Sequence, residues 1–366
     1  MLGLLNKLTR SLTSKNKAKN TEQASVCKSI QQTSSPADFK QQSNIKRDSQ
    51  SPINTAAKAD LSDSDDAFYQ QLFPTDKIKN PIDLPQKLII QVVEDHLNDQ
   101  NHRSKIIPRL PAIIPQLIRS LKDPKTSSQD YVRIIRRDPS MSAGVLKLAN
   151  SVYFNPVSQT ITSIEVAVIK LGIDGLRSVL SAVVMQPVIQ QKTRYFSHFG
   201  QKLWLHSLAT AVICELLAKN RGIDPYKAYL LGLTHNIGKV TIFSELCQQL
   251  KTLPSEQRPS RDAFIPLLQK RSEKLSYEIA KDWQLPDEII SALKQQASVA
   301  NNNNLGPISQ LLFEAKKIST LYLLNQEKLS RKPIPKDLQQ QLTQQLALLQ
   351  LPENTFSLLE NLHKGY

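Results

Sequence analysis

Cysteine is scarce: Cys27, Cys214 and Cys247 stand far apart, with no CxxC pair or zinc-knuckle spacing among them. This excludes a disulfide framework and a cysteine-built zinc site, and it suits a reducing cytoplasm. Glycine is also sparse, at 10 of 366 residues. A glycine-poor chain rich in Leu, Ile, Gln and Lys favours helices over turn-dense β architecture. No apolar run approaches the roughly 20 residues of a membrane span. The N-terminus lacks the apolar core and small-residue cleavage pattern of a secretory leader, so a cytoplasmic chain is expected. Aromatic residues make up only 6% of the chain, and they form no base-stacking platform.

Hydrophobic residues reach 40%, enough for a sizeable core. The formal charge of +15 brings anionic partners into consideration. That excess is spread out, however. Residues 1–60 carry ten Lys and Arg against four acids, and residues 81–200 carry fifteen against nine.

Residues 13–60 are rich in Ser, Gln, Asn and Lys and poor in large apolar side chains. They cannot bury enough surface to offset the entropy of ordering, and residues 1–60 as a whole read as a disordered tail. Within it, Met1, Leu5, Leu8 and Leu12 fall at helical spacing, with Lys7 and Arg10 off the stripe. A short basic amphipathic helix over 1–12 could lie on the inner membrane surface as a peripheral contact, dock into a partner groove, or simply fray.

Residues 61–104 form a helical lead-in, in which Leu88, Val92, Val93 and His96 fall near one face. Pro111 opens a helix over 112–121. Ser128 and Ser140 are candidate N-caps for the next two helices. Gly172 stops the helix of "SIEVAVIKLG", and Pro187 bends or ends the one that follows. The stretch "HFGQKLWLHSLATAVICELLAKNRG" is a long amphipathic helix with Leu205, Leu208, Val212 and Leu216 inward. Asp224 and Pro225 start another helix, with Gly238 as its stop. Leu285–Pro286 separates two more, and residues 327–366 are C-terminal helices. No strand of useful length is present, so the fold class is all-α, a multi-helix bundle.

Residues 105–326 resemble an HDOD domain. The first half carries an LP opening at Leu110–Pro111, then "DPSMSAGVLKLANS" and "ITSIEVAVIKLGIDGLRSVL". The second half carries "WLHSLATA", "AYLLGLTHNIGK" and "DWQLPDEII". The resemblance implies an HD-like helical bundle, related to the metal-dependent HD phosphohydrolases but in general without their complete metal site, and used in bacterial signalling and regulation.

In those hydrolases the positions of His206 and His235 hold a metal, and an Asp follows the second histidine. Here Asn236 stands in its place. An amide brings no charge and one oxygen instead of two, so a tightly held ion is not expected. Ser272, Gln295 and Gln296 stand where many relatives carry further histidines. Asp262, Asp282 and Asp287 are the later carboxylates, and the last two read as solvent-facing or capping residues. We therefore expect no catalytic residue, metal or cofactor, with His206, His235 and Asn236 as a vestigial site. The plainer account of His235 is a helix histidine whose ring nitrogen bonds a neighbour such as His206 or Asn236. Cys214 and Cys247 read as buried small apolar residues rather than nucleophiles.

Three functions follow. One is a non-catalytic signalling module that binds other signalling proteins or a small regulatory ligand, using the cavity of the lost site and the helical first half. A second is a phosphohydrolase acting on a nucleotide or cyclic dinucleotide. The third is nucleic-acid binding through Arg133, Arg136 and Arg137, which share a helix face next to Lys147. A solvated basic face is the simpler account of those residues.

Overall fold

The computed structural model describes residues 67–364, apart from 70, 74–83, 121–126, 157–158, 192, 194–195, 197, 252–260, 299–304 and 331–333. The expected tail over 1–60 and its amphipathic helix lie outside the described residues. Among the described residues all regular structure is helical, with no strand, and no helix is long and apolar enough to cross a membrane.

The lead-in contributes α1 (Leu84–Asn98) and α2 (Gln100–Ile106). The buried stripe of α1 is Ile89, Val93 and Leu97, while Leu84, Leu88 and Val92 face outward, at 70%, 58% and 37% exposure. This corrects the expected face. The helix carries two apolar stripes, and only one of them can meet the helices packed against it.

Next come α3 (Ile113–Ser120), α4 (Ser128–Arg136), α5 (Pro139–Ala149) and α6 (Ile164–Ile189). Both expected caps shift by one or two residues. Ser127 caps α4, where the Asp130 carboxylate accepts from the Ser127 N–H and hydroxyl at 3.2 and 2.9 Å. Asp138 caps α5 by accepting from the N–H groups of Ser140 and Met141, with Pro139 preset in the first turn. Gly172 does break the helix, at φ 64° and ψ −176°, yet helical backbone resumes at once and α6 continues to Ile189, past Pro187. A Cβ at Gly172 would meet nothing within 4 Å. The backbone angle, not the space, demands glycine there.

The second half is built on α7 (Phe199–Arg221). It was expected to be amphipathic. Instead it is buried on nearly all sides from Phe199 to Ala218, because α6, α8 (Pro225–Thr234) and α12 (Pro307–Leu324) all pack on it. A helix enclosed in this way needs no polar face. Around it lie α9 (Ile237–Leu250), α10 (Arg261–Asp282) and α11 (Asp287–Gln296). The chain closes with α13 (Gln326–Ser330), α14 (Lys336–Leu348) and α15 (Thr355–Lys364). One apolar cluster runs through both halves and takes in Phe68, Tyr69, Leu72 and Phe73 from just before α1.

Candidate functional site

His206 lies mid-way along α7, and His235 is the C-cap of α8. The expected stop at Gly238 is corrected. Helix α8 ends at Thr234, the chain turns through His235 and Asn236, and Gly238 falls in the first turn of α9. Gly238 is needed for a different reason. A Cβ there would lie 2.0 Å from the Ser272 carbonyl oxygen of α10. Ser276, one turn further along α10, ties this junction by accepting from Gly238 N–H at 2.9 Å and donating to the His235 carbonyl at 2.7 Å.

The two imidazoles do face each other, with ring centroids 5.3 Å apart. Both are buried, at 2% and 5% exposure. They do not hydrogen-bond each other. The Asn236 amide donates to His206 Nδ1 at 2.9 Å and to Ser207 Oγ at 3.1 Å. A nitrogen that accepts carries no proton, so the His206 proton sits on Nε2, which faces Thr320 Oγ1 at 3.1 Å and Ser319 Oγ at 3.2 Å on α12. The His235 Nδ1 bonds the Gly232 carbonyl at 2.6 Å. The expectation that His235 would bond His206 or Asn236 is therefore corrected: its partner is its own helix backbone, and its Nε2 has no hydrogen bond. Phe68 covers His206, with ring centroids 4.4 Å apart.

That bare Nε2 belongs to a side chain that lines a cavity of about 10 Å³ together with Lys239, Glu273, Ser276, Gln296 and Lys316. A space of this size holds roughly one water molecule. A groove of about 880 Å³ lies elsewhere, lined by Tyr153, Lys170, Arg177, Glu215, Lys219 and Tyr226 among others.

The electrostatics oppose a cation. Burial pushes the pKa of His206 well below its usual value, and the positive charges of Lys239 and Lys316 push the same way. His235 is pushed down by burial, then by His206, Lys239 and Lys316. Glu273, which lines the same cavity, receives the Lys316 ammonium at 2.6 Å. Burial raises its pKa, but Lys316 and Lys239 outweigh that and hold it below the usual carboxylate value. Two neutral imidazoles and an amide that donates its N–H, beside two ammonium groups, do not fit a divalent ion.

The other positions read from sequence are structural. Gln295 Oε1 accepts from Gly306 N–H at 2.8 Å, and Gln296 Nε2 donates to the Ser309 carbonyl at 2.9 Å, tying α11 to α12. Ser272 is buried at 1% exposure, while Asp282 and Asp287 face solvent. Asp262 lies in the first turn of α10. Arg133, Arg136, Arg137 and Lys147 are exposed, but Arg133 lies 3.7 Å from Asp130 and Arg136 bonds Glu165. The basic face is thus partly neutralised. Cys214 and Cys247 are buried, and burial raises both thiols, Cys247 to about 11, which makes them poor nucleophiles.

Sequence reasoning missed Lys239, Glu273, Lys316, Ser319 and Thr320. Lys239 was legible, since it falls four residues after His235. Lys316 and Thr320 share a face of α12 at the same spacing, but nothing in sequence joins that face to α8.

Comparison with known proteins adds a family. The HDOD domain profile matches residues 107–299. A Shewanella amazonensis protein of known structure, provisionally described as a metal-dependent phosphohydrolase, is 18% identical. It superposes with a TM-score of 0.54 over 77% of this chain and 99% of its own. An HDOD domain protein of unknown function from Geobacter sulfurreducens is 21% identical, with a TM-score of 0.49 over 74% of this chain and 93% of its own. An uncharacterised Treponema pallidum protein is 24% identical over 240 residues. That alignment takes in 62% of this chain and 44% of the relative, so this chain spans under half of that protein's length.

Proposed function

The chain belongs to the HDOD domain family, whose profile covers more than half of it, and from that premise we propose that it is a regulatory module that acts by binding and performs no chemistry at its histidine pair. The observation that carries this reading is the placement of Lys239 and Lys316 around the same small cavity as His235, with Glu273 already paired. A hydrolytic ion would need the opposite charge pattern.

Protein contact is the mode of binding we favour. The exposed Leu84, Leu88 and Val92 stripe of α1 offers an apolar strip of the kind that marks interaction surfaces. The cavity beside His235 holds about one water, and the groove by Tyr153 is the larger space in which a small ligand could be accommodated.

The test is a phosphodiesterase assay on the full chain with manganese and a panel of nucleotides and cyclic dinucleotides, beside a His235→Gln variant. We expect background rates in both. Turnover that vanishes in the variant would overturn the proposal in favour of the phosphohydrolase reading.

A further inference from the structure

The ligand set that the histidine pair lacks occurs on another face. His96 is in the last turn of α1, His102 in the first turn of α2, and Glu245 on α9. His96 Nδ1 lies 2.7 Å from Glu245 Oε1. The His96 and His102 rings stack with centroids 3.6 Å apart and planes 19° from parallel. One donor atom from each of the three residues lies within 4.8 Å of the other two.

Three features distinguish this cluster from the vestigial site. First, it has an anionic anchor, since the Glu245 side chain is only 6% exposed while that of His96 is 24% exposed. The carboxylate therefore comes from the interior and the imidazoles from the solvent side. Second, the supporting contacts are in place. Gln249 Nε2 donates to Glu245 Oε1 at 2.7 Å, and the Asp99 carboxylate accepts from His102 N–H at 3.2 Å, which holds the start of α2. Third, of the basic side chains that bridge α10 to α1 and α2, Lys270 and Arg103 pair with the carboxylates of Glu94 and Glu278 and Arg271 bonds the neutral Asn98 side chain, whereas at the histidine pair one carboxylate, Glu273, serves two ammonium groups.

We propose that His96, His102 and Glu245 bind a divalent transition-metal ion, zinc foremost, and that the ion ties the lead-in helices α1 and α2 to α9. Two imidazoles and one carboxylate are a donor set that zinc accepts, with bonds of roughly 2.0–2.2 Å and a fourth position left to water. Donors around such an ion stand about 3.3 Å apart by tetrahedral geometry. The present spread must therefore contract, and the stacked rings must turn so that their nitrogens converge. His102 can do this, because it is half-buried on a helix of only seven residues. Ligands from three helices make the ion a clasp that exists only in the folded chain, so binding raises stability by mass action.

The experiment uses the tag-free full-length chain, stripped with chelator and titrated with zinc chloride and, separately, cobalt chloride. We expect one zinc retained per chain after gel filtration, visible d–d bands with cobalt, and a Tm that climbs with zinc concentration. His102→Ala removes a half-exposed ring and should keep its circular dichroism spectrum. It should lose affinity by more than the roughly 10–100-fold typical of losing a mere supporting contact. Glu245→Gln should lose the ion as well, and His235→Gln should keep it. No retained zinc, or unchanged affinity in His102→Ala, overturns the proposal. Zinc lost in His235→Gln but kept in His102→Ala places the ion at the other pair and overturns this inference together with the regulatory reading above. Zinc lost only at the His96 cluster leaves that reading untouched.

Discussion

Replacing Asn236 by aspartate returns the carboxylate that a hydrolytic HD site requires. Asn236 is fully buried, and its amide donates to His206 Nδ1 and Ser207 Oγ. An aspartate has nothing to donate, so His206 must carry its proton on Nδ1 instead, and Ser207 must turn its hydroxyl toward the new carboxylate. Thr320 faces Nε2 and can donate as readily as accept, whereas the Ser319 hydroxyl already donates to the Lys316 carbonyl, so the network reverses through Thr320. What remains is the cost of burying a carboxylate, eased by Lys239 and Lys316. We expect a loss of about 1–3 kcal/mol, at about 2–4 °C in Tm per kcal/mol for a domain of this size. Metal binding should not follow. At a separation on the order of 6 Å and an effective dielectric of about 20, one ammonium costs a divalent ion about 5 kcal/mol, or more than a thousandfold in affinity, and the Glu273 carboxylate offsets only one of the two. Calorimetric titration of Asn236→Asp with manganese chloride should therefore show binding no tighter than that of the unaltered chain. Micromolar manganese binding, with phosphodiesterase turnover alongside, would refute the reasoning, because it would mean that one carboxylate suffices and the lysines stand aside.

Acid should weaken the fold. Burial holds His206 and His235 well below the usual imidazole value. Above about pH 6.5 both are neutral in the folded and unfolded chain and stability is at its full value; below it the unfolded chain takes up protons that the fold refuses, at up to about 1.4 kcal/mol per pH unit for each histidine. Urea denaturation at about pH 7.5 and about pH 5.5 should show that loss, with a shallower slope in His235→Gln, and equal stability at both values would count against the buried neutral pair. Gly238→Ala sets a Cβ 2.0 Å from a backbone oxygen of α10 and should destabilise by about 3 kcal/mol, at the upper end for overpacking; an unchanged urea midpoint would show that α9 and α10 separate freely. If residues 1–12 lie on a membrane surface, as one reading of their sequence has it, sedimentation with anionic vesicles drops when Leu5 and Leu8 are replaced by Asp, and equal sedimentation would exclude that reading.

Legibility tracked the range of the interaction. Helix identity, the break at Gly172 and the Pro225 start depend on a few adjacent residues, and sequence reported them. Cap positions slipped where two candidate side chains stood one or two residues apart, as with Ser127 beside Ser128 and Asp138 beside Ser140. The face of α1 was misjudged because both of its apolar stripes satisfy the same periodicity, and only the helices packed against it choose between them.

By itself the sequence determined an all-α chain of this family and put an amide where a carboxylate would be needed, because residue identity and helical period are local properties. Only the tertiary structure decided that Lys316 stands beside His235 and Glu245 beside His96. Those meetings join residues 81 and 149 positions apart. They arise because apolar faces pack, and the polar side chains carried on those helices are brought together without any local pattern to announce it.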